Sequence, residues 1–211
     1  NPIFSNNRRF RGDYYYSIPD FLLSSERKIK GDSDYSFQKI RLGKKQLNIY
    51  YITHHLCHAA NGFYISPFKK SAILTADNFG EDDTANFLIG DKSNIKLLKR
   101  LKIPHSTGSF YSTFTEFFGY KMDSDEWKVM ALSAFGSKNN KYYKLIKNMV
   151  ELKSDGSFEL KQSYFKQYIV STPNLFTDNF VKLLGNPKRK NEEFSKRYFE
   201  IAAAMQQVFE D

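Results

Sequence analysis

The sequence predicts an α/β fold in which a small antiparallel sheet precedes a group of packed helices. Three β-rich runs, residues 71–80, 84–90 and 94–103, are separated by turn residues and predict a three-stranded antiparallel meander. From Ser106 onward, apolar residues recur at helical spacing instead. The 211 residues are 41% apolar and 17% aromatic, which is enough to form a hydrophobic core.

The part of the chain before the meander is less regular. Residues 1–47 are polar and aromatic, and only residues 20–28 show a short helical pattern, so we expect an irregular and helical lead-in. The β-rich run LNIYYI, residues 47–52, predicts a strand. The segment HHLCHAANGFY that follows has an apolar stripe near helical spacing, and we therefore expect a strand that leads directly into a helix.

Helices dominate the prediction after the meander. Ser106 is the expected N-cap of a helix whose phenylalanine stripe belongs to the core, and Gly119 ends that helix. The segment DSDEWKVMALSAFG is expected to be compact. A further helix is predicted over residues 140–152, and the segment DGSFELK after it predicts a turn and a strand.

Two more helices are predicted toward residue 211. Thr177 and Gly185 are expected to cap and end a short one. The other starts near Asn191, with Glu192 and Glu193 in its first turn, where they suit the helix dipole. We expect a single domain over residues 1–211, with a metal-site and sheet region at 48–136 and a helical region at 137–211. Because the last helix has no stop signal, we expect this domain to be incomplete.

Composition excludes several classes of protein. No apolar run reaches 18 residues, so we expect no membrane partner. The single cysteine, Cys57, predicts a cytoplasmic protein and a small buried side chain. The net charge of +9 comes from scattered lysines, and the densest cluster, NPKRKNEE, itself ends in two glutamates. We therefore expect a solvated loop there and no nucleic-acid partner.

Three of the four histidines lie within five positions of one another, in the predicted helix. His54 and His58 are four residues apart and His55 and His58 are three apart, and either pair can direct two imidazoles at one metal ion. Asp77, at the end of a predicted strand, is the leading candidate for a third ligand. The alternative is that the histidines are structural and that Asp77 only starts a turn.

Four sequence blocks resemble successive blocks of one known family. They are HHLCHAANGFY, AILTADNFGED, IPHSTGSFYSTFTEFFGYKMDSDEWKVMALSAFG and KRYFEIAAAMQQVFE, and the resemblance covers residues 48–211. In order and spacing they are similar to the nodulation-protein and cephalosporin O-carbamoyltransferases. The resemblance implies part of an actin/Hsp70-like duplicated fold, as in the enzyme that makes tRNA threonylcarbamoyladenosine.

The resemblance also implies a reaction. In this family carbamoyl phosphate and ATP give carbamoyl-adenylate in a separate C-terminal domain. The carbamoyl group is then transferred to a hydroxyl of a small-molecule acceptor, such as a sugar or a natural product. A metal ion, iron in type, is held by a His-x-x-x-His pair and aspartates. Carried over to this chain, these ligands are His54, His58 and Asp77, and His55 becomes a neighbour that shapes the pocket.

Other site residues follow from the same resemblance. Asn78, Gly80 and Glu81 fall in a turn near the nucleotide phosphates. Lys128 falls in a block that the family keeps near its active centre, and a surface lysine is the alternative. His105 is a candidate general base, and a histidine in the turn before a helix is the alternative. No catalytic residue is otherwise identified.

The chain also departs from the family pattern. Asn78 replaces the glycine usual after the metal aspartate, and Ala131 and Ala134 stand where glycine and proline are common. The opening strand block, a glycine-rich nucleotide motif, a distal metal aspartate and the adenylate-forming domain are missing, so we expect the isolated fragment to be inactive. The alternatives are a protein like the tRNA threonylcarbamoyl transferase and a non-catalytic metal-binding remnant.

Overall fold

The computed structural model describes residues 35–80, 82–166 and 174–211. The helical pattern at 20–28 and Glu81 therefore lie outside the described residues. The chain divides into two compact units, residues 1–57 and 58–211. Among the described residues, none of the helices has both the length and the apolar character needed to span a bilayer.

The described part of the first unit contains a β-hairpin. Strands β1 (Tyr35–Leu42) and β2 (Lys45–Ile52) are antiparallel, with Tyr35 opposite Ile52. Gly43 adopts a φ of +61° in the two-residue turn, a conformation that favours glycine. The expectation of an irregular segment up to residue 47 is therefore wrong from Tyr35 onward, because backbone pairing across this turn makes two strands from mixed polar and apolar residues.

Helix α1 (His54–Tyr64) begins one residue after β2, which confirms the predicted strand-to-helix sequence. The backbone N–H of Cys57 donates to the carbonyl of Thr53 at 3.1 Å and closes the first turn. The division between the two units falls inside this continuous helix. The Cys57 side chain is exposed, contrary to expectation, because it lies on a different side of the helix from the buried Ala59 and Phe63.

The second unit contains the predicted meander. Strands β3 (Lys70–Ala76), β4 (Asp83–Asp91) and β5 (Asn94–Lys102) form one antiparallel sheet in the order β3-β4-β5. Ala76 lies opposite Ala85 at the end of β3, so the turn that follows contains Asp77. Because β4 is central and mostly buried, it holds β3 and its turn in place from one side.

Five helices and a small hairpin complete the described part of this unit. They are α2 (Thr107–Phe117), α3 (Glu126–Ser133), α4 (Lys141–Lys147), β6 (Val150–Leu152), β7 (Phe158–Leu160), α5 (Asp178–Leu184) and α6 (Lys196–Glu210). The predicted caps are confirmed: the Ser106 hydroxyl accepts from the N–H of Ser109, and the Thr177 hydroxyl from that of Phe180. Gly119 and Gly185 have positive φ angles at the ends of their helices.

Two predicted helix boundaries are wrong. The helix expected over 140–152 ends at Lys147, because Val150–Leu152 pairs with the strand Phe158–Leu160 instead. The last helix starts at Lys196 rather than near Asn191. Glu192 precedes it and accepts hydrogen bonds from the Arg189 N–H and the Tyr198 hydroxyl, and the first of these lowers the pKa of Glu192 most.

Aromatic residues of the second unit form its core, as the phenylalanine stripe predicts. Phe114 and Phe117 on α2 are fully buried, and their rings lie 5.1 and 5.3 Å from that of Phe180 on α5. Tyr198 on α6 packs edge to face against Phe117 at 6.4 Å. The core therefore fixes α2, and with it the helix N-terminus that meets the Asp77 turn.

Candidate metal centre

Helix α1 separates its three histidines by burial. His55 is fully buried, whereas His54 and His58 reach solvent. The rings of His54 and His55 meet edge to face with centroids 5.5 Å apart. Since residues four apart lie on the same side of a helix, His54 and His58 point in a common direction that solvent can enter. His55 fits the role of a buried neighbour.

Asp77 meets His58 at the end of strand β3. Its Oδ2 lies 3.3 Å from His58 Nε2. Its other oxygen, Oδ1, accepts a hydrogen bond of 2.7 Å from the N–H of Asn78, and its own N–H donates to the carbonyl of Thr84 at 3.0 Å. Backbone contacts thus fix both the position of Asp77 and the oxygen that faces the histidine.

His54, His58 and Asp77 are the group in the described residues whose donor atoms could hold a metal ion. One ligand atom from each lies within 4.8 Å of the others. Two ligands at about 2.0–2.1 Å from a tetrahedral ion are about 3.3 Å apart. The His58–Asp77 distance already has this value. Two imidazoles and a carboxylate also form a donor set suited to iron or zinc. The residues present therefore fit a metal.

A contact between α1 and the sheet holds His58 near Asp77. Phe63, one turn after His58, is 4% exposed and packs over Gly90 of β4. A Cβ at Gly90 would lie 2.6 Å from that ring, so only glycine allows this approach. The hydroxyl of Tyr64 also donates to the carbonyl of Ser93 at 2.8 Å.

The predicted nucleotide turn follows Asp77 directly. The N–H of Gly80 donates to the carbonyl of Asp83 at 2.7 Å, which closes the turn before β4. The side chain of Asn78 accepts from the Ser109 hydroxyl and donates to Asp123. The amide of Asn78, at a position where the resemblance implies a glycine, therefore joins this turn to α2 and to the segment before α3. The sequence analysis did not identify Ser109. Its one indication in the sequence is the neighbouring Gly108, because a glycine lets two backbone segments approach closely.

The two catalytic candidates have structural contacts and lie outside the three-ligand group. His105 Nδ1 accepts from the N–H of Leu160 at 3.0 Å. Lys128 Nζ lies 2.9 Å from Asp125 Oδ1, and this hydrogen bond is the largest cause of the lowered pKa of Asp125. The same ammonium lies 5.4 Å from the centroid of the exposed Trp127 ring.

Comparison with known proteins gives the family. The sequence profile of the family described as "Carbamoyltransferase N-terminus" matches residues 13–211. The chain is 37% identical over 159 residues to an uncharacterized protein of Synechocystis sp., an alignment that covers 74% of this chain and 25% of that protein. It is 28% identical over 162 residues to the nodulation protein NolNO of Sinorhizobium fredii, covering 77% and 22%.

A second nodulation protein, NolO of Bradyrhizobium diazoefficiens, is 25% identical over 159 residues, which cover 75% of this chain and 26% of that protein. The chain thus spans about a quarter of the length of these relatives. The profile match extends over nearly all of the chain and includes the helix, the meander and the α2–α6 core. The protein belongs to the carbamoyltransferase family, and the chain corresponds to the N-terminal part of its members.

Proposed function

We propose that the chain is the part of an O-carbamoyltransferase that binds the metal and the carbamoyl donor. The observation that carries the proposal is the distance of 3.3 Å between His58 Nε2 and Asp77 Oδ2. His54 lies one turn before His58 on the same helix. The family match supports carbamoyl transfer as the reaction. The fold of the whole protein is proposed to be of the actin/Hsp70 type, in which this chain is one portion.

The proposed donor is carbamoyl-adenylate, made from carbamoyl phosphate and ATP in a C-terminal adenylate-forming domain. The proposed acceptor is a hydroxyl of a small molecule such as a sugar or a natural product. Two relatives named as nodulation proteins support this branch of the family. We propose a cytoplasmic location, because a single cysteine fits a reducing compartment.

In the proposed site, His54, His58 and Asp77 hold a divalent ion, which we expect to be iron. When bound, such an ion supplies Lewis-acid polarisation of the carbamoyl oxygen. The residues of the chain orient the donor around it. The turn at Asn78 and Gly80 lies directly after Asp77, where backbone groups can approach a phosphate closely.

The proton of the acceptor hydroxyl needs a base. His105 is less suited to that role than its position in the sequence indicates, because Nδ1 already accepts from the Leu160 N–H. Lys128 is proposed as a contact of the donor on the family resemblance alone, and its ammonium contacts Asp125 and two aromatic rings at the surface.

Metal analysis of the purified 211-residue chain tests the proposal. We expect the wild-type chain to retain about one iron or cobalt ion per molecule, and His58→Ala and Asp77→Asn to lose it. Asp91→Asn is the matched control, because Asp91 also lies at the end of a β-strand and pairs with Lys70 at 3.6 Å. Equal metal content in Asp77→Asn and the wild type would exclude the proposed ligand set.

The reaction itself is tested on the full-length protein with ATP, carbamoyl phosphate and a sugar acceptor. We expect AMP and an O-carbamoylated product from the wild type, and loss of product from the Asp77→Asn protein. Metal retention without any product would instead identify a non-catalytic metal-binding remnant.

A further inference from the structure

The turn that carries Asp77 is attached to the N-terminus of helix α2. The hydroxyl of Ser106 donates to the carbonyl of Asn78 at 2.5 Å, and the carbonyl of Asp77 lies 3.2 Å away from the same oxygen. The hydroxyl of Ser109 donates to Asn78 Oδ1 at 2.6 Å. Ser106 is fully buried and Ser109 is 8% exposed, so water does not compete well for these bonds.

Gly108 brings the two segments close enough for these bonds. A Cβ at Gly108 would lie 2.6 Å from the Cα and 2.7 Å from the backbone N of Asn78. Both atoms belong to the backbone, so the turn would have to move to admit a side chain. The glycine and the two serines therefore form a single contact with Asn78, which consists of two hydrogen bonds and one close backbone approach.

Because Asn78 is held in this way, it also fixes the orientation of the proposed metal ligand Asp77. Its N–H donates to Asp77 Oδ1 at 2.7 Å, which leaves Oδ2 as the oxygen facing His58 at 3.3 Å. A shift or rotation of Asn78 would release Oδ1 and change the direction of Oδ2. Hydrogen-bond partners of this kind orient the ligands of metal sites and affect their affinity.

We propose that Ser109, acting through Asn78, is a positioning residue that aims the Asp77 carboxylate at the metal. The inference rests on the proposed metal site and adds to it the residues that hold the ligand. Ser106 has the same effect but also caps α2, so its replacement would alter helix stability as well. Ser109 separates the two effects, because its side chain takes no part in the cap.

The test measures Co²⁺ binding to the 211-residue chain by the visible absorption of the bound ion. We expect Ser109→Ala to bind Co²⁺ about 10-fold more weakly and with an altered spectrum, and Ser109→Thr, which keeps the hydroxyl, to restore both. Ser133→Ala is the matched control. Its hydroxyl likewise donates a hydrogen bond, here to the backbone carbonyl of Met130 on α3 and away from the Asp77 turn, and we expect no change in affinity.

Gly108→Ala provides a second variant should Ser109→Ala fold poorly, and circular dichroism reports folding in each case. We expect its affinity for Co²⁺ to fall at least as far as that of Ser109→Ala. Wild-type affinity and spectrum in both folded variants would overturn the positioning role while the metal site stands. A wild-type chain that binds no Co²⁺ would overturn the metal site and the positioning role together.

Discussion

Replacing Gly90 with alanine should push helix α1 away from the sheet. The new Cβ would lie 2.6 Å from two atoms of the Phe63 ring, where ordinary contact begins at 3.4 Å. The ring must therefore retreat by about 0.8 Å, and because Phe63 is 4% exposed it has little room to do so. Such overpacking costs about 1–3 kcal/mol of unfolding free energy. Each kcal/mol lowers the melting temperature of a unit of this size by about 2–4 °C.

Gly62→Ala is the matched control within the same helix. A Cβ there meets no atom within 4 Å. Alanine is favoured over glycine inside a helix by about 1 kcal/mol, so this variant should be more stable than the wild type. The two glycine-to-alanine changes are thus expected to shift stability in opposite directions.

Urea unfolding and Co²⁺ titration measure the two consequences. Phe63 follows His58 on one helix, so a displaced ring also moves the histidine relative to Asp77. We expect Gly90→Ala to lose both stability and Co²⁺ affinity, and Gly62→Ala to keep its affinity. Wild-type stability in Gly90→Ala would show that the ring moves aside freely and that this contact does not position the helix.

Three further predictions concern the second unit. Burial raises the pKa of Tyr111 to about 12 from its usual 10.0, so the folded state keeps this proton to higher pH than the unfolded state. The free energy of unfolding should therefore fall as pH rises from 10 toward 12. In urea unfolding, Tyr111→Phe should show a smaller fall in that free energy across the same range. Thr177→Ala removes the cap on the Phe180 N–H and should cost about 1 kcal/mol in the same assay, while Thr177→Ser should not. Phe114→Ala, at a fully buried position, should cost about 3–5 kcal/mol of unfolding free energy in the same assay.

Periodicity and turn residues predict the parts of the fold that depend on local patterns. The meander and the caps at Ser106 and Thr177 follow from alternation, helical spacing and hydroxyl chemistry within a few residues. The run LNIYYI predicted the second strand of the hairpin from Tyr35 to Ile52, but the first strand was missed, because its polar residues mask the alternation and the left-handed φ of Gly43 is not visible in the sequence.

The candidate site shows the same limit. Spacing alone left two histidine pairs open, and the burial of His55 became visible only in the folded structure, because burial depends on what packs against the helix. The link from Ser109 to Asn78 joins residues 31 positions apart, and no local pattern indicates such a contact. Helix boundaries failed for a related reason, since the pairing of Val150 with Leu160 competes with helix extension.

The proposed ligands are supplied by a short stretch of chain, one helix and the strand after it. His54 and Asp77 are 23 positions apart in sequence. By chain statistics, bringing the ends of such a loop together costs only about 3 kcal/mol beyond a constant, and a bound ion can offset a cost of this size. The proposed centre therefore joins residues that are close in sequence, and closing one short loop is enough to bring its ligands together.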